Sequence, residues 1–340
     1  MIKLPWFGKG KKAVGLDLGS SSVKVVELEP SAQGQQLRGY GFSVLPANKG
    51  RDQIVSAIKD ALNQADVKSN RVTIALSGPQ VVVRYTDFPK MTHQELANAI
   101  RFEAEQYMPF KKDEVFMDCF SLPGAGRQDN MMPVILVAAK KELVMERVDL
   151  LKEAGLIPVA VDVNSFCLMN CFEAYGAPVN ENEVFALIEI GAGSTIVNIM
   201  KGRAPYFTRE IPLAGGAWSD IIGKEKSLTL EQAEEWKLKA GGEELLEIIR
   251  NAAMDIVGEI RLCFDHYENQ TEQVVNVIYL SGGSSGLAGI AEFLAAQLGI
   301  QVKLWNPVVN LKTGLQVRDP EGLRKVASQL AVATGLALRG

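Results

Sequence analysis

Val14-Gly15-Leu16-Asp17-Leu18-Gly19-Ser20-Ser21-Ser22-Val23-Lys24, near the start of the chain, reads as strand, turn, strand. Leu187-Ile188-Glu189-Ile190-Gly191-Ala192-Gly193-Ser194-Thr195-Ile196-Val197 repeats the pattern in the second half. Each copy sets an acid inside an apolar strand, a glycine two residues on, a small hydroxyl-rich turn, and a second apolar strand. Gly19 and Gly191 leave the backbone bare where a phosphate can approach. The N–H groups of Ser20, Ser21 and Ser22, and of Gly193, Ser194 and Thr195, can converge on phosphate oxygens as anion-binding nests. Asp17 and Glu189 can each hold a hydrated Mg²⁺ against those phosphates. Lys24 can return along its hairpin to contact phosphate as a cation. A single hairpin of this kind is most simply a β-turn. Two in corresponding positions point to a clamp that grips a nucleoside triphosphate between two related halves.

A third stretch, Gly282-Gly283-Ser284-Ser285-Gly286, follows an apolar strand and opens a helix. Backbone there can lie against a nucleoside or phosphate at a helix N-terminus. It matches neither the dinucleotide fingerprint nor the P-loop.

Outward from these motifs, the two halves share an order of hairpin, strand and helices. In the first half the spacing predicts strands through 45, a helix over 52–66 and a strand over 72–76. A strand–helix–strand–strand–helix unit then fills 77–157, its first helix opened by the capping box Thr92-His93-Gln94-Glu95 and a Gly-rich turn at 124–126 between its later strands. A strand over 158–163 runs into a helix over 165–175. After the second hairpin come helices near 217–222, 229–239 and 243–267, a strand over 275–281, a helix over 287–298, and one last helix over 321–338. The expected units are a tail over 1–12, a first-half core over 13–76 plus 158–178, an inserted subdomain over 77–157, and a second half over 179–340. Within that second half, 214–270 forms its outer part.

With 340 residues, 47% hydrophobic and 22% charged, the chain can bury two or more cores. Its net charge of −4, without a basic stripe, argues against nucleic acid as a partner. Only His93 and His266 are present, which disfavours a zinc centre or a Ser-His-Asp triad. Cys119, Cys167, Cys171 and Cys263 lack CxxC spacing. With no signal peptide in sight, they fit a reducing cytosol. Cys167 and Cys171 share a helix face and read as packing. No apolar run reaches the roughly 20 residues of a membrane span. Trp6 and Phe7 among lysines read as a flexible tail or as a peripheral foot on a membrane or membrane-protein partner.

Taken together, these motifs resemble the superfamily of actin, heat-shock chaperones and sugar kinases. Gly15 to Lys24 looks like its first phosphate motif and Leu187 to Thr195 its second. Val161-Asp162-Val163-Asn164-Ser165-Phe166 looks like the first connecting segment, and Tyr279 to Leu287 the adenosine motif. The last helix, with Ala331, Ala333, Gly335 and Ala337, looks like the second connecting segment. Ala233-Glu234-Glu235-Trp236-Lys237 matches the segment that lies against adenosine, which carries Glu234 and Lys237 over as nucleotide contacts. Within the superfamily the chain most resembles the FtsA/PilM branch, and there the PilM-type pilus assembly proteins. The marks are the position of the inserted unit, its Glu105-Gln106-Tyr107-Met108-Pro109-Phe110, and an end soon after the second connecting segment.

The resemblance implies a duplicated actin-like, ribonuclease H-like α/β ATPase fold. A nucleotide cleft would lie between the halves, and the inserted small α+β subdomain would be of the 1C type. It implies ATP or ADP with Mg²⁺ as ligand. It also implies a PilN-type inner-membrane protein as partner, bound through its cytoplasmic N-terminal peptide in a groove involving the inserted subdomain. Other pilus platform and motor components and a homo-oligomeric ring belong to the same expectation, as does a cytoplasmic protein held at the inner membrane through partners. Hydrolysis is expected to be weak or absent. Asn164 stands where relatives often carry Glu, and an amide orients water but cannot deprotonate it. Asp162 is the remaining candidate catalytic carboxylate, with a turn acceptor as its plain alternative. An FtsA-like filament protein and a small-molecule kinase stay open as other readings.

Overall fold

Continuous apolar runs and short glycine turns produce two sheets with the same strand order. A computed structural model describes residues 12–32, 34–122 and 130–339, with backbone alone over 101–107. The Gly-rich turn at 124–126 and the aromatic tail residues therefore lie outside the described residues. The first half runs β1 (Ala13–Leu18), β2 (Ser22–Ser31), β3 (Gly34–Val44), α1 (Arg51–Gln64) and β4 (Arg71–Leu76). The small unit follows as β5 (Val81–Pro89), α2 (His93–Tyr107), β6 (Val115–Ser121), β7 (Met131–Lys140) and α3 (Lys141–Glu153). Next come β8 (Ile157–Val163) and α4 (Asn164–Tyr175). The second half runs β9 (Val184–Ile190), β10 (Thr195–Lys201), β11 (Ala204–Ile211), α5 (Gly215–Lys226), α6 (Leu230–Lys239), α7 (Gly242–Thr271) and β12 (Val277–Ser281). It ends with α8 (Ile290–Leu298), β13 (Gln301–Leu304), β14 (Lys312–Thr313), α9 (Pro320–Val326) and α10 (Ala331–Ala337).

The first sheet is ordered β14-β3-β2-β1-β4-β8 and the second β11-β10-β9-β12-β13. Leaving β14 aside, each is an antiparallel meander of three strands extended by two parallel strands. This is the duplicated α/β fold expected from the doubled turn. The small unit carries its own sheet, β5-β7-β6, and its own core around Phe88, Leu96, Ile100 and Leu136. Its α2 opens on the expected capping box: the Thr92 N–H donates to Glu95 Oε2 at 2.8 Å and the Glu95 N–H to Thr92 Oγ1 at 3.3 Å.

The halves are interlocked by an exchange of helices. Leu168, Met169 and Phe172 of α4 pack on Phe185, Leu187 and Tyr279 of the second sheet, joined by Trp305. In return α10 lies on β1 and crosses α4. Two glycines permit the approach: a Cβ on Gly15 would fall 2.7 Å from Leu336 Cβ, and one on Gly335 would fall 2.8 Å from Cys167 Cα.

Two helical expectations are corrected. The final helix is not continuous over 321–338: α9 ends at Val326, a 3₁₀ turn covers Ala327–Gln329, and α10 begins at Ala331. The Ser328 carbonyl inside that break accepts the Gly282 N–H at 2.9 Å, a tertiary bond that no local pattern announces. The helix predicted from Leu287 begins at Ile290, because Gly283–Gly286 form a 3₁₀ turn and Gly289 caps α8 at φ +80°.

Candidate functional site

The two hairpins close identically. The Gly19 N–H donates to the Ser22 carbonyl at 3.0 Å, and the Gly191 N–H donates to the Ser194 carbonyl at 3.0 Å. They face each other so closely that a Cβ on Gly193 would fall 2.7 Å from Ser20 Oγ. Between them opens a cleft of about 860 Å³, walled by Asp17, Gly19, Ser20, Ser21, Lys24, Asn164, Glu189, Gly191, Gly193 and Ser194. The acids sit in register-matched hairpins, Asp17 opposite Lys24 and Glu189 opposite Ile196. Lys24 Nζ donates to Asp17 Oδ2 at 2.9 Å, so the expected phosphate cation is held by its own strand neighbour. Ser22 and Thr195 are buried. The Thr195 hydroxyl donates to the Leu213 carbonyl at 2.7 Å, which ties the second turn to the chain entering α5.

Glu189 is half-buried and lines the same cleft as Asp17. Desolvation first, then the Asp17 charge, pushes its carboxyl up from 4.5 to about 7, with Lys24 pulling the other way. The folded chain thus keeps a proton that the unfolded chain has released. In metal-free protein this contribution to stability is complete below pH 4.5 and is lost as pH rises to about 7. Glu189→Gln cannot ionise. In EDTA its melting temperature, relative to the parent, is expected to climb between pH 5 and pH 8 and then level off. A pH-independent offset in thermal melts would contradict the assignment.

Glu234, Lys237, Gly282, Gly283 and Ser284 do not line this cleft. They form a second cluster behind the Gly191 turn. The Gly215 N–H and Ser284 Oγ both donate to the Gly191 carbonyl, at 3.0 and 3.3 Å. Lys237 Nζ donates to the Gly215 carbonyl at 3.0 Å, to Ser219 Oγ at 2.6 Å and to Glu234 Oε1 at 2.8 Å. All three of its protons are therefore taken by protein, and Ser219 Oγ also donates to Glu234. The cluster fixes the start of α5 against the turn. Gly282, at φ +94°, passes close over Ile190.

Asp162 is corrected as a catalytic candidate. Asn164 and Ser165, just beyond β8, enter the cleft, whereas Asp162 is absent from its walls. Asp162 is buried, accepts from the Val163 N–H at 2.8 Å and pairs with Arg339 Nη1 at 2.6 Å. Burial raises its pKa against the opposing pull of Arg339.

Several cleft residues carry no sequence signal, because they lie far from the motifs. Lys49 Nζ donates to the Ser20 carbonyl. Glu210 Oε2 accepts the Gly78 N–H at 2.6 Å. Arg147 reaches in from α3. Ser165 Oγ is buried with no partner among the described residues. A polar chain then crosses from the small unit to the second sheet. Tyr85 OH bonds Thr208 Oγ1 at 2.9 Å, Thr208 Oγ1 donates to Asn198 Oδ1 at 2.8 Å, and Asn198 Nδ2 donates to the Ser165 carbonyl at 3.1 Å.

A second concavity lies on the far side of β8. One chamber of about 360 Å³ is walled by Leu76, Phe116, Val137, Val161 and Phe166, and its neighbour of about 370 Å³ by Leu122, Ile135, Met169 and Val179. The chambers share Phe120, Phe166 and Arg339. Both β6 and β8 are edge strands of their sheets, so an apolar channel runs between two strand edges. Phe116 is 49% exposed and Val161 38%, unusual for apolar side chains flanking a cavity unless something covers them.

Two sheets of one strand order, helices exchanged between them and matched glycine turns across a cleft define an actin-like ATPase fold. A family model for type IV pilus assembly protein PilM matches residues 15–340, and the chain belongs to that family. It is similar to a chain of the PilM–PilN type IV pilus biogenesis complex, with 29% identity, 97% of this chain and 98% of that chain covered, and a TM-score of 0.85. The ethanolamine utilization protein EutJ from Carboxydothermus hydrogenoformans shares the fold at 14% identity, with 98% and 92% coverage and a TM-score of 0.55. A diol dehydratase-reactivating factor in nucleotide-free form shares it at 10% identity, with 96% and 99% coverage and a TM-score of 0.56. Among the described residues no helix is long and apolar enough to cross a membrane.

Proposed function

We propose that this chain is an actin-like nucleotide-binding component of the type IV pilus inner-membrane platform. ATP with Mg²⁺ would sit between the two turns, and the apolar channel would take the cytoplasmic N-terminal peptide of a PilN-type protein. The observation that carries the reading is Asp17 and Glu189 brought into one cleft between two identically closed glycine turns. The residues fit a magnesium nucleotide. Side chains at Gly19 and Gly193 would fill the cradle, since their Cβ atoms would fall 2.9 Å from Lys24 Nζ and 2.7 Å from Ser20 Oγ. Among the described residues no group of three or more His, Cys, Asp or Glu could form a metal cage. Mg²⁺ would then be held by one or two carboxylates together with phosphate oxygens and water, which suits its preference.

Bound nucleotide supplies the charge that the clamp closes upon, and the chain's own groups do the rest. Asp17 keeps Lys24 oriented, the turn N–H groups would hold the phosphates, and Asn164 and Ser165 would position water. With Asp162 outside the cleft and Asn164 neutral, no base of the usual kind stands at the connecting segment, which supports weak or absent hydrolysis. The channel suits an extended peptide, since an edge strand offers backbone pairing and alternate side chains find apolar pockets. Recruitment by such a partner would place the chain on the cytoplasmic face of the inner membrane.

The test is titration of the full chain with the N-terminal cytoplasmic peptide of a PilN-type protein, with and without MgATP. Val161→Asp sets a charge at a half-exposed channel position. It is expected to weaken the peptide about tenfold or more while leaving the melting temperature unchanged. If the parent chain binds no peptide under either condition, the partner claim falls.

A further inference from the structure

Arg147 is a half-buried cation with no carboxylate in hydrogen-bond contact among the described residues. It projects from the middle of α3, the helix that leads out of the small unit into β8, and lines the cleft with Asp17, Lys24 and Glu189. Among the described residues its one hydrogen bond is a long 3.4 Å contact from Nη1 to the Leu18 carbonyl, at the base of the Gly19 turn. Asp17 and Glu146 act on it only at a distance, and burial lowers its pKa. The other cations of the cleft wall differ. Lys24 is paired with Asp17, Arg209 Nη2 with Glu259 at 2.6 Å, Lys49 donates to a turn carbonyl, and Arg84 is exposed. A guanidinium partly withdrawn from water without a carboxylate partner loses hydration that the fold does not replace. Its planar fork matches two oxygens of one phosphate.

The placement indicates which phosphate. Gly282, Gly283, Ser284 and Lys237 all lie on the second-half side, behind the Gly191 turn, and outside the cleft walls. Arg147 approaches from the first-half side, over the Gly19 turn. A nucleotide whose base lies toward the former directs the end of its phosphate chain toward the latter. Resting on the nucleotide reading above, we propose that Arg147 binds the terminal phosphate of a bound nucleoside triphosphate. Through α3, the inserted subdomain then distinguishes triphosphate from diphosphate. A diphosphate leaves the guanidinium as it is here, with only the Leu18 carbonyl.

The experiment is calorimetric titration of the full chain with MgATP and with MgADP, for the parent, Arg147→Ala, Arg147→Met and Arg147→Lys. Removing the guanidinium is expected to weaken MgATP about tenfold or more and to change MgADP by less than about twofold. Arg147→Lys, keeping the charge without the fork, is expected to fall between. Melting curves without nucleotide show whether each variant folds. Arg147→Met keeps an apolar stem, so at least one variant reports on the contact rather than on packing. Equal losses for both nucleotides, or no loss for MgATP, overturn the proposal while leaving nucleotide binding intact. A parent chain that binds neither nucleotide overturns the clamp itself, and this inference with it.

Discussion

Gly335→Ala is expected to destabilise the chain by about 3 kcal/mol, lowering its melting temperature by roughly 6–10 °C. Gly335 sits where α10 crosses α4, and an added Cβ would fall 2.8 Å from Cys167 Cα and closer still to the Cys167 carbonyl oxygen. Backbone lies on the far side of the contact, so no rotamer change relieves it. The helices could separate only by pulling Ala333 and Leu336 off Gly15, where β1 is equally close. The crossing holds the two halves together, so the loss should register in global unfolding. Gly258→Ala is the contrast. Gly258 is exposed inside α7 with nothing within 4 Å of a built Cβ. Alanine there is expected to add about 0.5–1 kcal/mol by helix propensity alone. Thermal melts of the two variants side by side check both signs. A Gly335→Ala protein melting with its parent would refute the packed crossing.

Asp17→Ala is expected to weaken MgATP binding by about 10–100-fold. Asp17 is 6% exposed, accepts from Lys24 Nζ at 2.9 Å and supplies one of the two carboxyl groups that line the cleft. Its removal takes a cation ligand away and leaves Lys24 without its partner, free to swing from the turn. The deficit should depend on magnesium. In excess EDTA, parent and variant should bind ATP with similar weakness, and added Mg²⁺ should tighten only the parent strongly. Titration across Mg²⁺ concentrations separates this from a general folding defect. Unchanged nucleotide affinity would refute the cation role given to Asp17.

Much of the fold was legible because its signals are local. Acid, glycine and hydroxyl turn recur at Asp17–Gly19 and Glu189–Gly191 within strands that show continuous apolar burial. Thr92 and Glu95 announce a helix start by spacing alone. The break at 327–329 was not legible, since it depends on a hydrogen bond from Gly282, far away in the chain. The same limit separated motif from role at the site. Glu234 and Lys237 carry the expected spacing, yet the Lys237 amine is fully engaged by Gly215, Ser219 and Glu234. Asp162 stands two residues from cleft-lining Asn164, yet it is paired with Arg339 outside the cleft walls, because β8 ends at Val163 and the chain turns into α4 between them.

By itself, then, the sequence determined the duplication, the cleft and the pair of turns that face it. Those features follow from periodicity and from glycine at positions where bare backbone is needed, and each is encoded within about a dozen neighbouring residues. Only the tertiary structure decided how each charge is used: Lys24 held by Asp17, Glu189 pushed toward neutrality beside it, Asp162 tied to Arg339, and Arg147 left facing the cleft. A side chain's charge state and reach depend on what burial and distant segments place around it, and no local pattern records that.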